Sequence, residues 1–322
     1  MSNIVDQVKE AVGLASPEYP AEAFQLSGKD PALHLEQNEQ NQAGERPGKQ
    51  SKMHKQAIDD VYANGKPYIG CGKLEGKKAI ITGGDSGIGR ATAILFALEG
   101  ADSTISYLPA EEQDAQDTKA YVEKKTNGLR TLHLVQADLK QEANAIKVIE
   151  AHMARFGKLD ILVNNAAQQL ENHDITTLDS KQWEDTFQLN MHSYFYMSKH
   201  SIPHMPRGSS IINMASINAF VGRPDLLDYT STKGAIVSFT RGLSNQILSD
   251  KLIRVNGIAP GPIYTPLVTS TFSKSNIAGF TSPIGRPGQP VEIATACVFL
   301  ASEDSSFISS EIIHINGGVT IN

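Results

Sequence analysis

The sequence predicts an α/β fold with one doubly wound, parallel, seven-stranded sheet of the Rossmann type and helices on both faces. Apolar runs typical of strands buried on both faces alternate with helical patterns throughout residues 76–322. A length of roughly 250 residues suits a single domain of this type. The predicted strands are 79–82, 103–107, 132–137, 161–163, 211–214, 255–259 and 312–315. The predicted helices are 88–99, 111–126, 141–156, 180–200, 229–248 and 290–301.

The composition is that of a cytoplasmic protein. The chain has 322 residues, of which 40% are hydrophobic and 20% charged, with a net charge of −6. This mild acidity argues against nucleic-acid and anionic-membrane partners, which require a basic surface. Apolar runs are too short for a membrane span, and the acidic residues Asp6 and Glu10 argue against an N-terminal targeting segment. Cys71 and Cys297 alone form neither a disulfide framework nor a Cys-x-x-Cys metal site.

The first part of the chain differs in composition from the rest. Residues 15–75 are rich in Gln, Asn, Glu, Lys, Pro and Gly, which provide little apolar surface to offset the entropy of ordering. We expect a disordered arm over 1–45; the alternative is an extension that wraps a neighbouring subunit. For 46–75 we expect an extended segment packed on the domain or a neighbouring subunit, because Tyr68 and Ile69 directly precede the first strand.

A glycine-rich loop, Gly83-Gly84-Asp85-Ser86-Gly87-Ile88-Gly89, joins the first strand to the first helix. Glycine lets the backbone turn tightly and approach a pyrophosphate at a helix N-terminus, although the spacing differs from Gly-x-Gly-x-x-Gly. The letters "GDSG" also resemble the nucleophilic loop of trypsin-like proteases. Such a site needs a histidine, an aspartate and an all-β chain with disulfides, whereas only His34 and His54 precede the loop. We therefore interpret Ser86 as a turn residue that faces phosphate.

A second group of residues points to proton transfer. Tyr229 and Lys233 are four residues apart in "DYTSTKGAIVSF", which places them on one face of the predicted helix. An adjacent ammonium lowers the pKa of a tyrosine, which is ordinarily about 10. Ser216 ends the fifth strand, at the edge that borders the ligand crevice of a parallel sheet. A Tyr-x-x-x-Lys pair alone is commonly an ordinary helix contact; the order of glycine loop, serine, tyrosine and lysine favours a catalytic site.

These motifs together resemble the short-chain dehydrogenase/reductase family over nearly all of residues 74–322. The matching segments are "TGGDSGIG", "NNAA" (164–167), "YTSTK" and "PGPIYTP" (260–266). More narrowly, "PGKQSKMH" before "GKLEGKKAIITGGDSGIGRA", with "YLPAEEQDAQDT" after the second strand, resembles a subgroup with an N-terminal extension. Its members are labelled glucose/ribitol-dehydrogenase-like proteins or aldehyde reductases.

The resemblance implies the roles of four catalytic residues. Tyr229 would be the general acid/base, and Lys233 would bind the nicotinamide ribose and lower the tyrosine pKa. Ser216 would orient the substrate oxygen. Asn190, in "FQLNMHSYF", would hold a water that links Lys233 to solvent.

The resemblance also implies a cofactor site. Asp138 would meet the adenine amine, Asn165 and Ala166 would line the adenosine ribose, and Ile263 and Thr265 would hold the carboxamide. The implied cofactor residues are Gly83, Asp85, Ser86, Gly87, Ile88, Gly89, Tyr107, Asp138, Leu139, Asn165, Ala166, Tyr229, Lys233, Pro260, Gly261, Ile263 and Thr265.

The cofactor is expected to be NAD(H) or NADP(H). At the end of the second strand, where an acidic residue selects NAD and a basic one NADP, the chain has Tyr107 followed by Leu108-Pro109-Ala110-Glu111-Glu112. Nothing acidic occupies the selecting position itself and no basic residue is near. The two glutamates would repel a 2′-phosphate, which favours NAD(H).

The activity implied is hydride transfer between nicotinamide C4 and a carbonyl carbon, which interconverts an alcohol (a polyol, sugar or simple alcohol) and an aldehyde or ketone. The alternatives are a dinucleotide-binding regulatory protein without catalysis and a lyase or epimerase on the same fold. By family analogy alone we expect a homotetramer.

Three further features receive structural interpretations. His200 and His204 have ligand-like spacing, but Pro203 lies between them and no third ligand is evident, so no metal site is expected. Residues 269–290 lack a clear period and lie where the family has a substrate lid. Arg223 and Asp225 could contact a polyol, although a solvated loop is the favoured interpretation.

Overall fold

The computed structural model describes Gln42 and residues 46–53, 55–273, 276 and 280–321. The predicted arm over 1–45 lies outside these residues, apart from Gln42. Within the described part of the chain, seven strands form one parallel sheet. They are β1 (Lys78–Thr82), β2 (Asp102–Tyr107), β3 (Leu132–Gln136), β4 (Ile161–Asn164), β5 (Ser210–Met214), β6 (Arg254–Pro260) and β7 (Ile312–Ile315).

The strands are arranged in the order β3-β2-β1-β4-β5-β6-β7, and every pairing is parallel. The predicted fold class is therefore confirmed. The order reverses between β1 and β4, and in such sheets the carboxyl ends of the strands on either side of the reversal border a crevice.

The main helices pack on both faces of the sheet. They are α1 (Gly87–Leu98), α2 (Glu112–Lys125), α3 (Glu142–Phe156), α4 (Ser180–Phe187), α5 (Ser193–Ser201), α6 (Asn218–Val221), α7 (Leu227–Lys251), α8 (Pro266–Thr271) and α9 (Pro290–Ala301). The prediction of one continuous helix over 180–200 is wrong. A π-helical turn, Gln188–His192, separates α4 from α5.

The core follows the two-residue period of the strands. Ile81 of β1 belongs to the apolar cluster that includes α1 and α9, whereas its neighbour Ile80 belongs to the cluster that includes α3, α5 and α7. Both isoleucines are fully buried, and burying such a side chain contributes about 1.5–3 kcal/mol. The alternating side chains thus attach one helical layer to each face and hold the carboxyl ends of the strands at one edge.

The chain before β1 lies against the outside of this domain. The Glu99 carboxylate, directly after α1, accepts hydrogen bonds from the backbone N–H groups of Cys71 at 3.0 Å and Lys73 at 2.9 Å, and from the Tyr68 hydroxyl. Leu74 is fully buried beside them. Among the described helices, none is both long enough and apolar enough to span a bilayer.

Candidate active site

A cavity of about 660 Å³ opens at the carboxyl edge of the sheet. It is bounded by the glycine loop after β1, the ends of β2 and β4, the Ser216 segment after β5, helix α7 and the segment that leads from β6 into α8. The crevice where the strand order reverses is the usual ligand site of a doubly wound sheet.

The backbone of the glycine loop has little room for any other residue type. Gly83 and Gly87 have φ angles of +61° and +52°, in the left-handed region. A Cβ on Gly89 would lie 2.0 Å from the Gly83 carbonyl oxygen. The Asn165 side chain donates to the carbonyls of Thr82 at 2.9 Å and Gly83 at 3.0 Å. The Asn165 side chain therefore fixes the backbone of the loop at the N-terminus of α1. A glycine loop in this position suits a diphosphate.

The structure brings Ser216, Tyr229 and Lys233 together on one wall of the cavity. The hydroxyl of Ser216 lies close enough to the Tyr229 phenol to act on its pKa. Lys233 follows one turn later on α7, with its Nζ 5.3 Å from the centre of the tyrosine ring. That ammonium nitrogen donates to the Met214 carbonyl at 2.7 Å. Two hydroxyls and an amine thus converge beside the end of β5.

Burial governs the protonation of these groups. It raises the pKa of Tyr229 to about 12, although the nearby Ser216 hydroxyl acts in the opposite direction. Burial also lowers the pKa of Lys233 to about 7. The loss of hydration dominates the pKa of this phenol, and the expectation that the Lys233 ammonium lowers it stays a prediction. A neutral phenol is a proton donor.

Asn190 lies behind the cavity in the π-helical turn. Its side chain is fully buried, donates to the Gln168 carbonyl at 2.9 Å and to the Thr232 hydroxyl at 3.1 Å, and accepts from the Gln168 N–H at 2.8 Å. It joins the chain after β4 to the helix that carries Tyr229 and Lys233. The water implied for Asn190 stays a prediction.

Most of the residues implied for the cofactor line the cavity. They are Gly83, Asp85, Ser86, Gly87, Ile88, Tyr107, Leu139, Asn165, Ala166, Tyr229, Lys233, Pro260, Gly261, Ile263 and Thr265. Gly89 and Asp138 are not part of the lining. Gly89 lies beneath the loop, against the Gly83 carbonyl. The Asp138 carboxylate accepts a hydrogen bond from the Lys140 N–H at 3.1 Å. Leu139, the residue after Asp138, lines the cavity.

Three acidic side chains cluster near the glycine loop. Asp85 and Glu111 line the cavity, and Asp114 lies behind them on α2. Asp85 is 1% exposed, and its Oδ2 atom has no hydrogen-bond partner among the described residues. Burial raises the pKa of Asp85 to about 7 and, together with the Asp85 charge, that of Glu111 to about 8.

Arg223 is not part of a solvated loop, contrary to the favoured interpretation. Its Nε and Nη2 atoms donate to the Asp225 carboxylate at 2.7 and 2.9 Å, and its guanidinium carbon is 4.4 Å from the centre of the Phe272 ring. Arg223 lines the cavity and Asp225 is buried. Phe272, from the segment without a clear period, covers the pair.

Residues from before the domain also reach the cavity. Arg46, Pro47 and Gly48 line it, although sequence reasoning assigned them no role. The signal available for them was the segment "PGKQSKMH", which begins at Pro47.

The two spaced histidines do not come together with a third ligand. The Nε2 atom of His200 lies 2.7 Å from a Glu142 oxygen at the surface. In the part of the chain that the structure describes, no three His, Cys, Asp or Glu side chains are arranged to hold a metal ion.

Known proteins resemble this chain along most of its length. Residues 83–320 match the family model described as Enoyl-(Acyl carrier protein) reductase. A glucose and ribitol dehydrogenase of Daucus carota is 48% identical over 259 residues, which cover 79% of this chain and 89% of that protein. The NADPH-dependent aldehyde reductase 1, chloroplastic, of Arabidopsis thaliana is 44% identical over 282 residues, which cover 86% and 96%.

A solved structure agrees with these relatives. A short chain dehydrogenase from Burkholderia cenocepacia, in complex with NADP, has a TM-score of 0.71 at 27% identity and covers 76% of this chain and 98% of its own. The family model, the relatives and the fold agree on one family. The chain belongs to the short-chain dehydrogenase/reductase family and is an NAD(P)-dependent oxidoreductase.

Proposed function

We propose that the protein interconverts an alcohol and an aldehyde or ketone, with Tyr229 as the general acid/base. The observation that carries this proposal is the convergence of the Ser216 and Tyr229 hydroxyls with Lys233 on one wall of the cavity. A bound nicotinamide supplies or accepts the hydride. The chain's own residues hold the substrate oxygen and move its proton.

In the reducing direction, the two hydroxyls share the work on the carbonyl oxygen. Ser216 donates a hydrogen bond that orients the oxygen, and Tyr229 transfers its phenolic proton to that oxygen as negative charge develops there. The raised pKa of Tyr229 keeps the phenol protonated at neutral pH. Lys233 then stabilises the phenolate and holds ribose hydroxyls, and Asn190 keeps α7 in position.

The substrate class is a polyol, a sugar or a simple alcohol and its carbonyl counterpart. The cavity wall next to Tyr229 carries both polar groups, from Gln169, Arg223 and Thr271, and the aromatic rings of Phe272 and Phe280. Such a mixture suits a small substrate with hydroxyl groups and some apolar surface. The carrot and Arabidopsis relatives are named for sugar, polyol and aldehyde chemistry.

We further propose that NAD(H) is preferred over NADP(H). The support is the Glu111 carboxyl in the cavity wall after β2, with Asp85 next to it, because an acidic wall disfavours a 2′-phosphate. The Arabidopsis relative is NADPH-dependent and the Burkholderia structure holds NADP. The preference therefore rests on the acidic pair alone.

Turnover with a panel of aldehydes, ketones and polyols tests the activity. Reduced nicotinamide is followed by its absorbance, with both dinucleotides, for the wild type and Tyr229→Phe. We expect Tyr229→Phe to lose roughly 100-fold or more in kcat, since general acid catalysis contributes on that scale, while its affinity for NADH stays unchanged. Tyr196→Phe is the matched control, because Tyr196 lies on α5 outside the cavity lining. A Tyr229→Phe enzyme as active as the wild type would end the proposal.

A cytoplasmic homotetramer is part of the same proposal. Large apolar side chains are exposed on α4 and α5, with Trp183 37% and Phe195 45% accessible to solvent. Surfaces of this kind mark subunit contacts. Light scattering of the purified protein would give four times the monomer mass of 34.8 kDa, and a monomer would contradict the assembly.

A further inference from the structure

Residues 46–53, which we call the strap, precede the predicted domain, and the first three of them line the cavity. Gln50 is 4% exposed, and its Oε1 accepts a hydrogen bond from the Gly87 N–H at 3.1 Å. Gly87 is the first residue of α1, where the first N–H groups have no partner within the helix. The backbone N–H groups of Gln50 and Ser51 donate to the buried Asp114 carboxylate at 2.7 and 3.1 Å. One strap residue thus holds the glycine loop directly.

The strap also reaches the opposite wall. A Cβ on Gly48 would lie 2.3 Å from the Pro266 carbonyl oxygen, so the strap backbone is in close contact with α8. Met53 is buried in the apolar cluster that contains Tyr229 and Tyr264. The Tyr264 hydroxyl donates to the Lys55 carbonyl at 2.8 Å. The strap is therefore attached both to the loop that suits a diphosphate and to the walls around the catalytic tyrosine.

Arg46 brings a positive charge into the cavity wall. Among the described residues in that wall, the other cationic side chains are Lys140, Arg223 and Lys233. Arg223 is paired with Asp225, and burial lowers the pKa of Lys233 to about 7. The wall near the glycine loop is acidic, and a dinucleotide carries a doubly charged pyrophosphate. Arg46 is exposed and carries a guanidinium, whose N–H groups suit phosphate oxygens, so it can offset part of this negative charge.

We propose that the strap is a wall of the dinucleotide site that the N-terminal segment adds to the domain. In it, Arg46 contacts the pyrophosphate and Gln50 is a positioning residue for the glycine loop. This inference rests on the dinucleotide site of the proposed function. It assigns a binding role to a part of the chain that precedes the family motifs.

Two variants test the strap by direct binding. In Arg46→Gln the positive charge is removed from an exposed position, and we expect the Kd of NADH to rise about fivefold. The Kd of NADPH should rise by the same factor, because both dinucleotides share the pyrophosphate. In Gln50→Glu the acceptor for the Gly87 N–H is kept while a negative charge is placed against the glycine loop, so we expect about a tenfold rise in both Kd values. Isothermal titration calorimetry measures each value.

Asn64→Asp is the matched control for an added negative charge. Asn64 is exposed and lies outside both the strap and the cavity lining, and the oxygen that accepts the hydrogen bond from the Lys66 N–H at 3.0 Å is kept in the variant. It should bind NADH like the wild type. For Arg46→Gln, the thermal unfolding midpoint and the KM of the carbonyl substrate should stay unchanged, which separates a binding role from general destabilisation. For Gln50→Glu, whose new carboxyl is buried, the KM of the carbonyl substrate is the quantity that should stay unchanged.

The binding results distinguish a failure of the strap proposal from a failure of the proposed function. A wild type that binds neither dinucleotide overturns both. A wild type that binds NADH, with Arg46→Gln and Gln50→Glu equal to it, overturns the strap alone. A rise in Kd for NADPH but not for NADH in Arg46→Gln also overturns the assignment, because the arginine would then contact the 2′-phosphate instead.

Discussion

The proposed catalytic end of the cavity, which we call the catalytic end, joins residues close in sequence, whereas the glycine-loop end joins segments far apart. Ser216, Tyr229 and Lys233 lie within one β-strand end and the first turns of α7. At the other end, Arg46 of the strap and Glu111 after β2 reach the same cavity from distant parts of the chain.

The electrostatics of the two ends differ in a corresponding way. At the catalytic end, burial raises the pKa of the Tyr229 phenol and lowers that of the Lys233 amine, which brings the two values towards each other. At the glycine-loop end, burial favours the protonated forms of Asp85 and Glu111, and Arg46 lines the same cavity. The first arrangement suits proton transfer, and the second suits the discrimination of a charged cofactor.

The largest effect is expected at the catalytic end from Lys233→Met. We expect kcat to fall about 100-fold or more, because the phenolate of Tyr229 loses its nearest cation. Lys233→Arg keeps the charge and serves as the comparison. Single-turnover measurements of hydride transfer separate this loss from cofactor binding, and a Lys233→Met enzyme with wild-type kcat would contradict the role of the lysine.

The Lys233→Met variant, which loses activity, should gain free energy of unfolding relative to the wild type at pH 7. Burial lowers the pKa of Lys233 from its ordinary value of 10.5 to about 7, so between these pH values the unfolded chain binds the extra proton. Wild-type stability therefore rises with pH across this window, and Lys233→Met lacks that rise. The Met214 carbonyl keeps the Tyr194 hydroxyl as a donor at 3.2 Å, so no buried acceptor is orphaned. Urea unfolding at pH 7 and pH 9 measures the difference.

The local patterns of the sequence predict the strands and most of the helices, with bounds that agree with the structure to within a few residues. The strand Ile312–Ile315 and the helix Pro290–Ala301 have the bounds that their apolar patterns predict. The π-helical turn at Gln188–His192 was not predictable, because the helical pattern continues across it and the extra residue is accommodated only by packing around Asn190.

The site was predictable where residue types and spacing carry the chemistry. Ser216, Tyr229 and Lys233 meet as the order of motifs predicts, since a helix and a strand end determine their positions. The strap was not predictable as a cavity wall, because a polar segment has no period that shows what it contacts. The pairing of Arg223 with Asp225 beneath Phe272 likewise depends on tertiary contacts.

The smallest effect is expected at the glycine-loop end, from Glu111→Gln. Burial and the Asp85 charge raise the pKa of Glu111 to about 8, so its carboxyl ionises as the pH rises from 7 to 9. The ionised form repels a 2′-phosphate, whereas NADH presents a neutral hydroxyl there. In the wild type, the ratio of the NADPH Kd to the NADH Kd should therefore increase with pH, by about fivefold over this range.

Glu111→Gln should flatten this increase and strengthen NADPH binding, with little change for NADH. The amide oxygen can still accept the hydrogen bond that the Leu108 N–H makes to Glu111 at 2.9 Å, so the turn after β2 keeps its shape. Glu112→Gln is the matched control, because Glu112 is adjacent but bonds the Tyr107 hydroxyl and does not line the cavity. If the wild-type ratio is independent of pH and Glu111→Gln leaves it unchanged, Glu111 does not set the cofactor preference. The glycine-loop end would then differ from the catalytic end only in that residues of the strap form part of its wall.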